Sequence, residues 1–476
     1  MRTAYSVETV RAAERELMDR LPEGALMQRA AAGLAAACAG LLGRVYGARV
    51  ALLVGPGDNG GDALYAGARL ARRGAGVVAV PMDPERVHEG GLAALRAAGG
   101  RVAGRLEGRF DLVVDGLLGI GGRGGLRPAA AELARQAAAA RDAGALVVAV
   151  DLPSGVDADT GEVAGDAVTA DATVTFGAWK PGLLVDPGAG RAGAVRLVPI
   201  GLELGEPPVL EALQYADVAG RLPEPGAASD KYRRGVVGVV AGSARYPGAA
   251  VLAVAGALRG GAGAVRYVGP AGDEVLARYP ETLVHDGAPG KAGRVQSWVV
   301  GPGLGDDRSA VGEVLASDVP VLVDADGLRG LDPDAVRARP APTLLTPHAG
   351  EAAALLGVSR DEVESGRLAA VRELAGRYGA VVLLKGSTTL VAGPAGGPVR
   401  VNPTGTPWLA TAGSGDVLSG LAGSLLAAGL TAPDAASVAA HLHGLAARLA
   451  SSGGPVLAHE VAEGLPRAWR EVGRRG

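Results

Sequence analysis

The chain has 476 residues, 48% of them apolar, and 47 basic against 50 acidic side chains leave a net charge of −3. This composition provides a large core and excludes global disorder, and the charge balance gives no general attraction to nucleic acid or anionic membranes. Aromatic residues make up only 3%, which argues against a stacking surface for single-stranded nucleic acid. The length predicts two large domains.

The single cysteine, Cys38, excludes an internal disulfide and any multi-cysteine metal site, and we expect a buried core thiol. His441 and His443 are two positions apart, the wrong spacing for one helical face, so a histidine-based metal site is not expected. The first 20 residues lack a hydrophobic signal core, and no uninterrupted apolar run reaches about 18 residues. We therefore expect a soluble, cytoplasmic protein without a membrane or nucleic-acid partner.

Helical spacing covers residues 6–47, where Ser6 can cap the first turn. After it, short apolar runs alternate with helical stretches. Most runs are continuous, as is typical of a parallel sheet buried on both faces. The first set of predicted strands is Val50–Val54, Gly76–Val80, Asp111–Val114, Leu146–Val150 and Ala172–Phe176.

Residues 203–235 interrupt this pattern with proline, glycine and charge, which indicates a boundary near Pro207–Pro208 and domains at 1–207 and 208–476. The last helix is predicted from Asp416 to about Gly429. Alternating strands and helices predict two three-layer α/β/α domains. The second set of predicted strands is Val236–Ala241, Ala264–Val268, Trp298–Val300, Val319–Val323, Thr343–Leu345 and Ala380–Leu384.

A glycine-rich turn follows the first strand at residues 55–62, with the sequence Gly-Pro-Gly-Asp-Asn-Gly-Gly-Asp. Its spacing fits G-x-G-x-x-G, which permits close ligand approach at a helix N-terminus, although a plain chain reversal is an open alternative. A second alternative is a dinucleotide oxidoreductase in which Asp83 binds the ribose. Against it, Asp58 and Asp62 would repel a pyrophosphate, and oxygen-rich side chains suit a hard cation better.

Two further segments, Asp115–Gly125 and Asp151–Gly155, also follow predicted strands. In an open parallel sheet the carboxyl ends of the strands meet at one edge, where ligands bind. We therefore expect all three segments to converge, and this convergence is more specific than any one motif.

Together these segments resemble the NAD(P)H-hydrate epimerases over roughly residues 1–205. The resemblance implies a Rossmann-like domain that interconverts the C6 epimers of hydrated NADH and NADPH, with Asp151 at the ring as catalytic carboxylate. It implies potassium ligands at Asn59, Asp115 and Ser154. The implied substrate contacts are Asp58, Asn59, Gly60, Gly61, Asp62, Gly119, Ile120, Gly121, Gly122, Arg123, Gly124, Gly125 and Asp151.

The chemistry of Asp151 agrees with this role, because a carboxylate at the ring can shuttle a proton and stabilise an iminium charge. Water loss with re-addition and ring opening both remain open as pathways. The sequence departs from the family at Asp58, where asparagine is usual, and at Ala63, where glycine is usual. The extra charge of Asp58 near phosphates is expected to weaken substrate binding.

In the second half, Lys385–Thr389 follows a strand, and Thr411–Asp416 opens a helix after the segment Asn402–Thr406. Backbone amides at that helix start form an anion hole. The helix dipole favours Asp416 and is expected to keep it ionised, as suits a base in phosphoryl transfer, although an aspartate that only stabilises the helix start is the alternative. No Walker A pattern is present, which excludes a P-loop kinase.

Three more segments belong to this domain: Gly301–Gly305 and Asp324–Gly327 follow strands, and residues 346–351 start a helix. We expect Thr346 as its cap and Pro347 as its first residue. The histidine of this segment, His348, has either a local hydrogen-bonding role or a ligand contact, and its place at the ligand edge favours the contact.

These features resemble the ribokinase-like superfamily, specifically the ADP-dependent NAD(P)H-hydrate dehydratases, over about residues 209–476. The resemblance implies phosphorylation of the C6 hydroxyl by ADP with Asp416 as base, then loss of phosphate. Mg²⁺ is expected without a dedicated cage, and a homo-oligomer is implied. The implied substrate contacts are Ala249, Gly303, His348 and Asp416, and the implied ADP contacts are Lys385, Gly386, Ser387, Thr388, Thr389 and Gly415.

Family departures at Ala349, Ala412 and Trp408 remove no chemically needed group. The predicted function is a bifunctional nicotinamide-nucleotide repair enzyme, whose epimerase supplies the epimer that the dehydratase consumes. The alternatives are a ribokinase-like kinase of a small alcohol and a nucleotide sensor that has lost its chemistry. Intact Asp151 and Asp416 argue against the sensor. The sequence leaves open ADP against ATP, and NADH against NADPH.

Overall fold

The structure is a computed structural model that describes residues 1–475. The chain divides into two compact units, Thr3–Leu210 and a second that combines Met1–Arg2 with the chain from Glu211 onward. The amino group of Met1 lies 2.8 Å from the carboxylate of Asp217, an ion pair that ties the first residues to the second unit.

The first unit is built on a seven-stranded sheet in which all neighbouring strands are parallel. Its chain order reverses between Arg49–Val54 and Leu112–Gly116, the place where open α/β sheets bind ligands. The strands in order across the sheet are Arg101–Val102, Gly76–Pro81, Arg49–Val54, Leu112–Gly116, Leu146–Val150, Ala172–Phe176 and Ala194–Val198.

The core of this unit lies on both faces of the sheet. Val50 and Leu52 pack in one apolar cluster, whereas Ala51 and Leu53 pack in another, as alternation along a strand requires. The three-layer prediction is thereby confirmed for this unit. The helices are Val7–Arg20, Ala25–Leu42, Asp58–Arg72, Glu89–Ala97, Pro128–Asp142 and Ala189–Ala192, with 3₁₀ turns at Pro84–Arg86 and Pro181–Leu183.

The single helix expected at residues 6–47 is wrong, because the chain forms two helices there. Leu21 has extended geometry with φ −112° since it precedes Pro22, and this ends the first helix. Ser6 caps that helix as predicted, with its hydroxyl accepting from the Thr9 N–H.

The second helix, Ala25–Leu42, is long and apolar enough to cross a membrane by length and composition alone. In this unit it acts as a core helix, since Leu34 and Cys38 are buried in the same cluster as the central strand. Cys38 is fully buried, which confirms the expected core thiol, and burial raises the pKa of this thiol to about 12.

The second unit has an eleven-stranded sheet when the short strands Arg2–Ala4 and Leu210–Ala212 are included. Its central strands are parallel, whereas Thr389–Ala392 is antiparallel to both of its neighbours. The other nine strands in order are Val399–Asn402, Thr389–Ala392, Val381–Leu384, Thr343–Leu345, Val321–Val323, Ser297–Val300, Val236–Val240, Ala264–Val268 and Leu283–His285.

Helices and strands of this unit share one large apolar core, in which Leu421 and Leu442 pack with Val237 and Val299 of the sheet. All the predicted strands of both units are present, with ends within two residues of the prediction. The helices are Tyr215–Ala219, Lys231–Arg234, Pro247–Arg259, Gly272–Arg278, Ser309–Leu315, Pro333–Arg337, Ala349–Leu356, Arg360–Ser365, Arg367–Tyr378, Ser414–Ala427, Ala432–Ser451 and Ala458–Arg475, with 3₁₀ turns at Pro289–Lys291, Ala325–Leu328 and Pro407–Leu409.

The predicted last helix begins at Ser414, two residues early, and ends at Ala427. It is not the last, because the helices Ala432–Ser451 and Ala458–Arg475 follow it. Thr431 starts the first of them by accepting the N–H of Asp434, ahead of a proline in the first turn.

Candidate functional sites

The three glycine-rich segments of the first unit meet as predicted at the carboxyl edge of its sheet. The turn at 55–62 opens the helix Asp58–Arg72. From it, the side-chain amide of Asn59 donates to the Leu118 carbonyl at 3.0 Å and to the Val150 carbonyl at 2.8 Å. Leu118 lies in the loop after the strand Leu112–Gly116, and Val150 is the last residue of the neighbouring strand, directly before Asp151, so one side chain ties the ends of both strands to the turn.

Two glycines of the turn, Gly55 and Gly60, allow the backbone to pack closely against neighbouring backbone. A Cβ at Gly55 would lie 1.8 Å from the Leu117 carbonyl oxygen, and one at Gly60 would lie 2.1 Å from the Gly55 carbonyl oxygen. A Cβ at Gly57 would meet no described atom within 4 Å. The close ligand approach expected from the motif is therefore available at Gly57, whereas the other two positions are filled by the protein itself.

A polar cluster joins the predicted potassium ligands. The hydroxyl of Ser154 donates to Oδ1 of Asp115 at 2.7 Å, and its N–H donates to Oδ2 at 2.8 Å. Asp115 is fully buried, and burial raises its pKa to about 6 although the bonds from Ser154 and Leu117 act in the opposite direction.

The chemistry of this cluster suits a cation of low charge. It offers one carboxylate together with the neutral oxygens of Asn59, Ser154 and nearby carbonyls. Hard cations prefer such oxygen donors. Within residues 1–475, no group of three or more His, Cys, Asp or Glu side chains is arranged to hold a metal ion.

The predicted phosphate loop, Gly119–Gly125, connects the strand Leu112–Gly116 to the next helix, and its chain is largely exposed. A Cβ at Gly121 would lie 3.0 Å from the guanidinium of Arg11, and one at Gly125 would lie 2.1 Å from a carbonyl oxygen. Arg11 therefore places a positive charge beside this loop. The sequence reasoning missed it because it lies on the first helix, far along the chain.

Asp151 lies at the end of the strand Leu146–Val150, with a backbone φ of +66° that non-glycine residues seldom adopt. Its Oδ1 accepts from the Lys180 ammonium at 2.5 Å, from the Thr175 hydroxyl at 3.0 Å and from the Phe176 N–H at 3.2 Å. The side chains of Asp151 and Lys180 are 9% and 1% exposed. The sequence reasoning did not single out this buried lysine.

Other carboxylates surround this ion pair. Burial, together with the charges of Asp151, Asp58 and Glu14, holds the pKa of Asp62 well above its usual value. Oδ1 of Asp62 is buried without a hydrogen-bond partner among the described residues. Burial also raises the pKa of Glu14, on the first helix, against the opposing charge of Lys180. The site therefore holds two carboxyl groups whose pKa values lie above their usual range.

Asp83, the alternative ribose ligand, has a local role instead. Its side chain accepts from the Glu85 N–H at 3.1 Å and caps the turn Pro84–Arg86. The geometry gives no support to the dinucleotide oxidoreductase alternative.

In the second unit, an ion pair lies between two loops that follow parallel strands. The ammonium of Lys385 lies 2.7 Å from Oδ1 of the fully buried Asp324, whose Oδ2 accepts from the Ser419 hydroxyl at 2.7 Å. A Cβ at Gly415 would lie 3.4 Å from that ammonium. Two predicted ADP contacts are therefore adjacent, and Asp324 and Ser419 are additions that the sequence reasoning assigned no role.

The segment Lys385–Thr389 is the turn of an antiparallel hairpin. Gly386 and Ser387 are exposed, whereas Thr388 and Thr389 are buried. The buried guanidinium of Arg367 donates to the carbonyls of Lys385 and Thr388, both at 3.1 Å, and so fixes the shape of the turn.

Asp416 lies in the first turn of the helix Ser414–Ala427, after Gly413 with a φ of +86°. The expectation that the helix dipole keeps it ionised is wrong. Burial and the charges of Asp324, Asp326 and Glu351 raise its pKa to about 7, and the opposing charge of Lys385 only limits the increase. Burial alone would lower the pKa of Lys385, but the charges of Asp324, Glu351 and Asp416 raise it above its usual value.

The predicted dehydratase substrate contacts lie at the same edge. A Cβ at Gly303, where φ is +65°, would lie 2.5 Å from Cβ of Ala249 on the helix Pro247–Arg259. These two residues follow the neighbouring strands Val236–Val240 and Ser297–Val300, where the chain order of the sheet reverses. They therefore lie at the usual ligand position of an open α/β sheet.

His348 is the N-cap of the helix Ala349–Leu356, so Thr346 is not the cap and Pro347 is not the first residue. Its Nδ1 accepts from the N–H groups of Gly350 and Glu351 at 3.0 and 3.1 Å, which makes it the better cap. With Asp326 and Glu351 it lines a cleft of about 350 Å³. The capping role of His348 is compatible with a ligand contact, because its side chain is 59% exposed.

Comparison with known proteins gives a consistent result for both units. Residues 23–182 match the family model described as YjeF-related protein N-terminus, and residues 237–467 match the model described as NAD(P)H-hydrate dehydratase. The bifunctional NAD(P)H-hydrate repair enzyme Nnr of Mycobacterium leprae is 52% identical over 95% of each chain. The enzyme of the same name from Mycobacterium tuberculosis is 52% identical over 92% of each chain.

Among solved structures, the ADP/ATP-dependent NAD(P)H-hydrate dehydratase from Bacillus subtilis, co-crystallised with ATP and Mg²⁺, is similar to part of the chain. It is 32% identical with a TM-score of 0.51, and the similarity covers 55% of this chain and 99% of that one.

Proposed function

Because the chain belongs to the family of bifunctional NAD(P)H-hydrate repair enzymes, we propose that it restores hydrated NADH and NADPH in two steps. The first unit interconverts the two C6 epimers of the hydrated ring. The second unit dehydrates the S epimer with ADP, giving NAD(P)H, AMP and phosphate. The observation that carries the proposal is the environment of Asp416, whose pKa is raised to about 7 beside the Lys385 ammonium and the helix start.

In the dehydratase step, Asp416 accepts the proton of the C6 hydroxyl while that oxygen attacks the terminal phosphate of ADP, and AMP leaves. A base with a pKa near 7 is matched to this transfer at neutral pH. The amides at Gly413–Gly415 and the ammonium of Lys385 offset negative charge on the transferring group. Phosphate then leaves C6 as the ring-nitrogen lone pair expels it, and loss of a C5 proton completes the double bond.

Mg²⁺ belongs to this proposal as the ion that accompanies the nucleotide. The described residues offer no cluster of three acidic or imidazole ligands, and magnesium is commonly held by substrate phosphates, waters and few carboxylates. When bound, it neutralises phosphate charge. ADP rather than ATP as the donor is part of the proposal.

In the epimerase step, Asp151 faces the hydrated ring and stabilises the positive charge that develops at its nitrogen, or accepts the hydroxyl proton if the ring opens. We propose that Asn59, Asp115 and Ser154, whose oxygens suit a potassium ion, would hold one, and that it would supply positive charge to the site when bound. Arg11 and the amides of Gly119–Gly125 bind the substrate phosphates.

We also propose a cytoplasmic homo-oligomer. Support for the compartment comes from the single, buried Cys38, since the described fold depends on no disulfide. Oligomerisation is carried over from the family resemblance.

The experiment that tests the function uses a mixture of both epimers of hydrated NADH with ADP, Mg²⁺ and K⁺, followed by dihydronicotinamide absorbance. Complete recovery with stoichiometric AMP and phosphate is expected. If recovery stops once the S epimer is consumed, the chain has no epimerase activity, and residues 58–63 are implicated. A stable phosphorylated product without phosphate release would favour the small-alcohol kinase. Replacing ADP by ATP, and K⁺ by Na⁺, tests the donor and the cation.

A further inference from the structure

The ion pair between Lys180 and Asp151 leaves one oxygen of the carboxylate open. The Lys180 ammonium, the Thr175 hydroxyl and the Phe176 N–H all donate to Oδ1 of Asp151, and none of the described donors reaches Oδ2. Oδ2 is also absent from the buried oxygens that lack a partner. One oxygen is therefore fixed by the protein, and the other is available to a ligand.

All three hydrogen-bond donors of the Lys180 ammonium have partners within the protein. It donates to Asp151 Oδ1 at 2.5 Å, to the Thr175 hydroxyl at 3.0 Å and to the Phe176 carbonyl at 3.0 Å. A lysine ammonium has three donors, so these bonds satisfy it completely. With 1% of its side chain exposed, Lys180 cannot reach a substrate without breaking them. Any part it plays in a reaction must act through Asp151.

The surroundings explain why Asp151 needs such a partner. Besides burial, the charges of Asp151 and Asp58 raise the pKa of Glu14 and of Asp62, so acidic groups crowd this site and an unanchored carboxylate would turn away from them. The backbone of Asp151 is held at φ +66°, and its N–H bonds the Val174 carbonyl at 2.7 Å. Such a conformation persists only where its surroundings fix it.

We propose that Lys180 is a positioning residue of the epimerase, which fixes Asp151 through Oδ1 so that Oδ2 faces the hydrated nicotinamide ring. This inference rests on the proposed epimerase function. The lysine takes no part in proton transfer itself. It holds the carboxylate oriented before the substrate arrives, and this preorganisation lowers the barrier of the chemical step.

The test is a cycle of four chains: wild type, Lys180→Met, Asp151→Asn and the double variant. Starting from the pure S epimer without ADP, chromatography follows formation of the R epimer, so the dehydratase does not interfere. We expect Lys180→Met to lower kcat by about 100-fold with KM within about threefold, because it removes catalytic orientation rather than binding. The double variant should be no slower than Asp151→Asn alone, since the lysine acts through the carboxylate.

Folding is controlled within the same cycle. Asp151→Asn leaves a buried ammonium without its counter-charge and is expected to lower Tm, whereas the double variant removes both charges and should recover much of the loss. Dehydration of the S epimer with ADP reports the integrity of the second unit in each variant, and Tm reports that of the first. As a matched control, Arg141→Met breaks the exposed ion pair with Asp171 and should change epimerisation less than twofold.

Three outcomes would overturn the inference. An undiminished kcat in Lys180→Met would remove the lysine from the epimerase. If the loss of kcat in the double variant equals the product of the losses in the two single variants, the lysine acts independently of Asp151. A wild-type chain that does not interconvert the epimers would overturn the proposed epimerase function and this inference together.

Discussion

Asp151 and Asp416 both lie at the carboxyl edge of a parallel sheet, but each stands in a different relation to the nearest lysine. In the first unit, Lys180 bonds Asp151 directly at 2.5 Å. In the second unit, the ammonium of Lys385 bonds Asp324 instead, and Asp416 receives only its longer-range charge. Lys180 therefore orients Asp151 by a direct bond, whereas Lys385 acts on Asp416 only through its charge.

This difference matches the chemistry proposed for each site. An epimerase that develops positive charge on the ring requires a carboxylate with fixed negative charge and orientation. A phosphoryl-transfer step requires a base that can accept a proton near neutral pH, and burial raises the pKa of Asp416 to about 7. The sequence places Asp151 directly after a strand and Asp416 after a glycine-rich turn, but neither pattern shows the nearby lysine, so the tertiary environment makes the distinction.

The largest expected effect comes from removing the base. Asp416→Asn keeps the size of the side chain but cannot accept the hydroxyl proton, so dehydration should slow by about 100- to 10,000-fold. The measurement is NADH formation from the pure S epimer with ADP and Mg²⁺. Epimerisation by the same variant should be unchanged, because it depends on the other aspartate.

Stability provides the control for this variant. Folding raises the pKa of Asp416 above its unfolded value, so ionisation of this carboxyl at neutral pH opposes folding. The stability linked to it is complete at acid pH and declines as the pH rises toward about 7. Asp416→Asn should therefore keep or raise Tm at pH 7. A variant with a wild-type dehydration rate would contradict the role of Asp416 as base.

The sequence predicts the strands well because continuous apolar runs are characteristic of buried parallel strands. It also predicts that loops after parallel strands lie at the carboxyl edge of the sheet, as residues 119–125 do in the first unit and residues 385–389 do in the second. The antiparallel strands Thr389–Ala392 and Val399–Asn402 were missed, because they are short and lie close to polar turns. Pro22 breaks the long helix expected at residues 6–47, because the residue before a proline disfavours helical geometry.

The site residues that the sequence does not predict are brought together by long-range packing. Lys180 is 29 residues from Asp151 along the chain, and a lysine is rarely expected inside a protein. Arg11 and Glu14 reach the first site from a helix that precedes every motif. The raised pKa of Asp416 depends on burial and on Asp324, which is brought near only by the fold. Local sequence patterns carry no information about such charges.

The next prediction concerns pH. The active form of Asp416 is the deprotonated one, so dehydration should increase as the pH rises toward about 7 and fall about tenfold per unit below it. The measurement is kcat/KM for the S epimer across neutral pH, with the residual activity of Asp416→Asn as reference. That residual activity should lack the acid limb. An acid limb with an apparent pKa in the usual range of aspartate would show that burial does not set the pKa of Asp416.

The smallest expected effect isolates one charge near Asp416. Glu351 helps to raise its pKa, so Glu351→Gln should move the acid limb of dehydration to lower pH by less than one unit. Glutamine still accepts the His348 N–H and keeps the capping box. Glu362→Gln is the matched control, since Glu362 occupies the same position in the capping box of Ser359, is exposed and is not among the charges that raise this pKa. Equal shifts in both variants, or a shift to higher pH in Glu351→Gln, would exclude Glu351 as a determinant of the base.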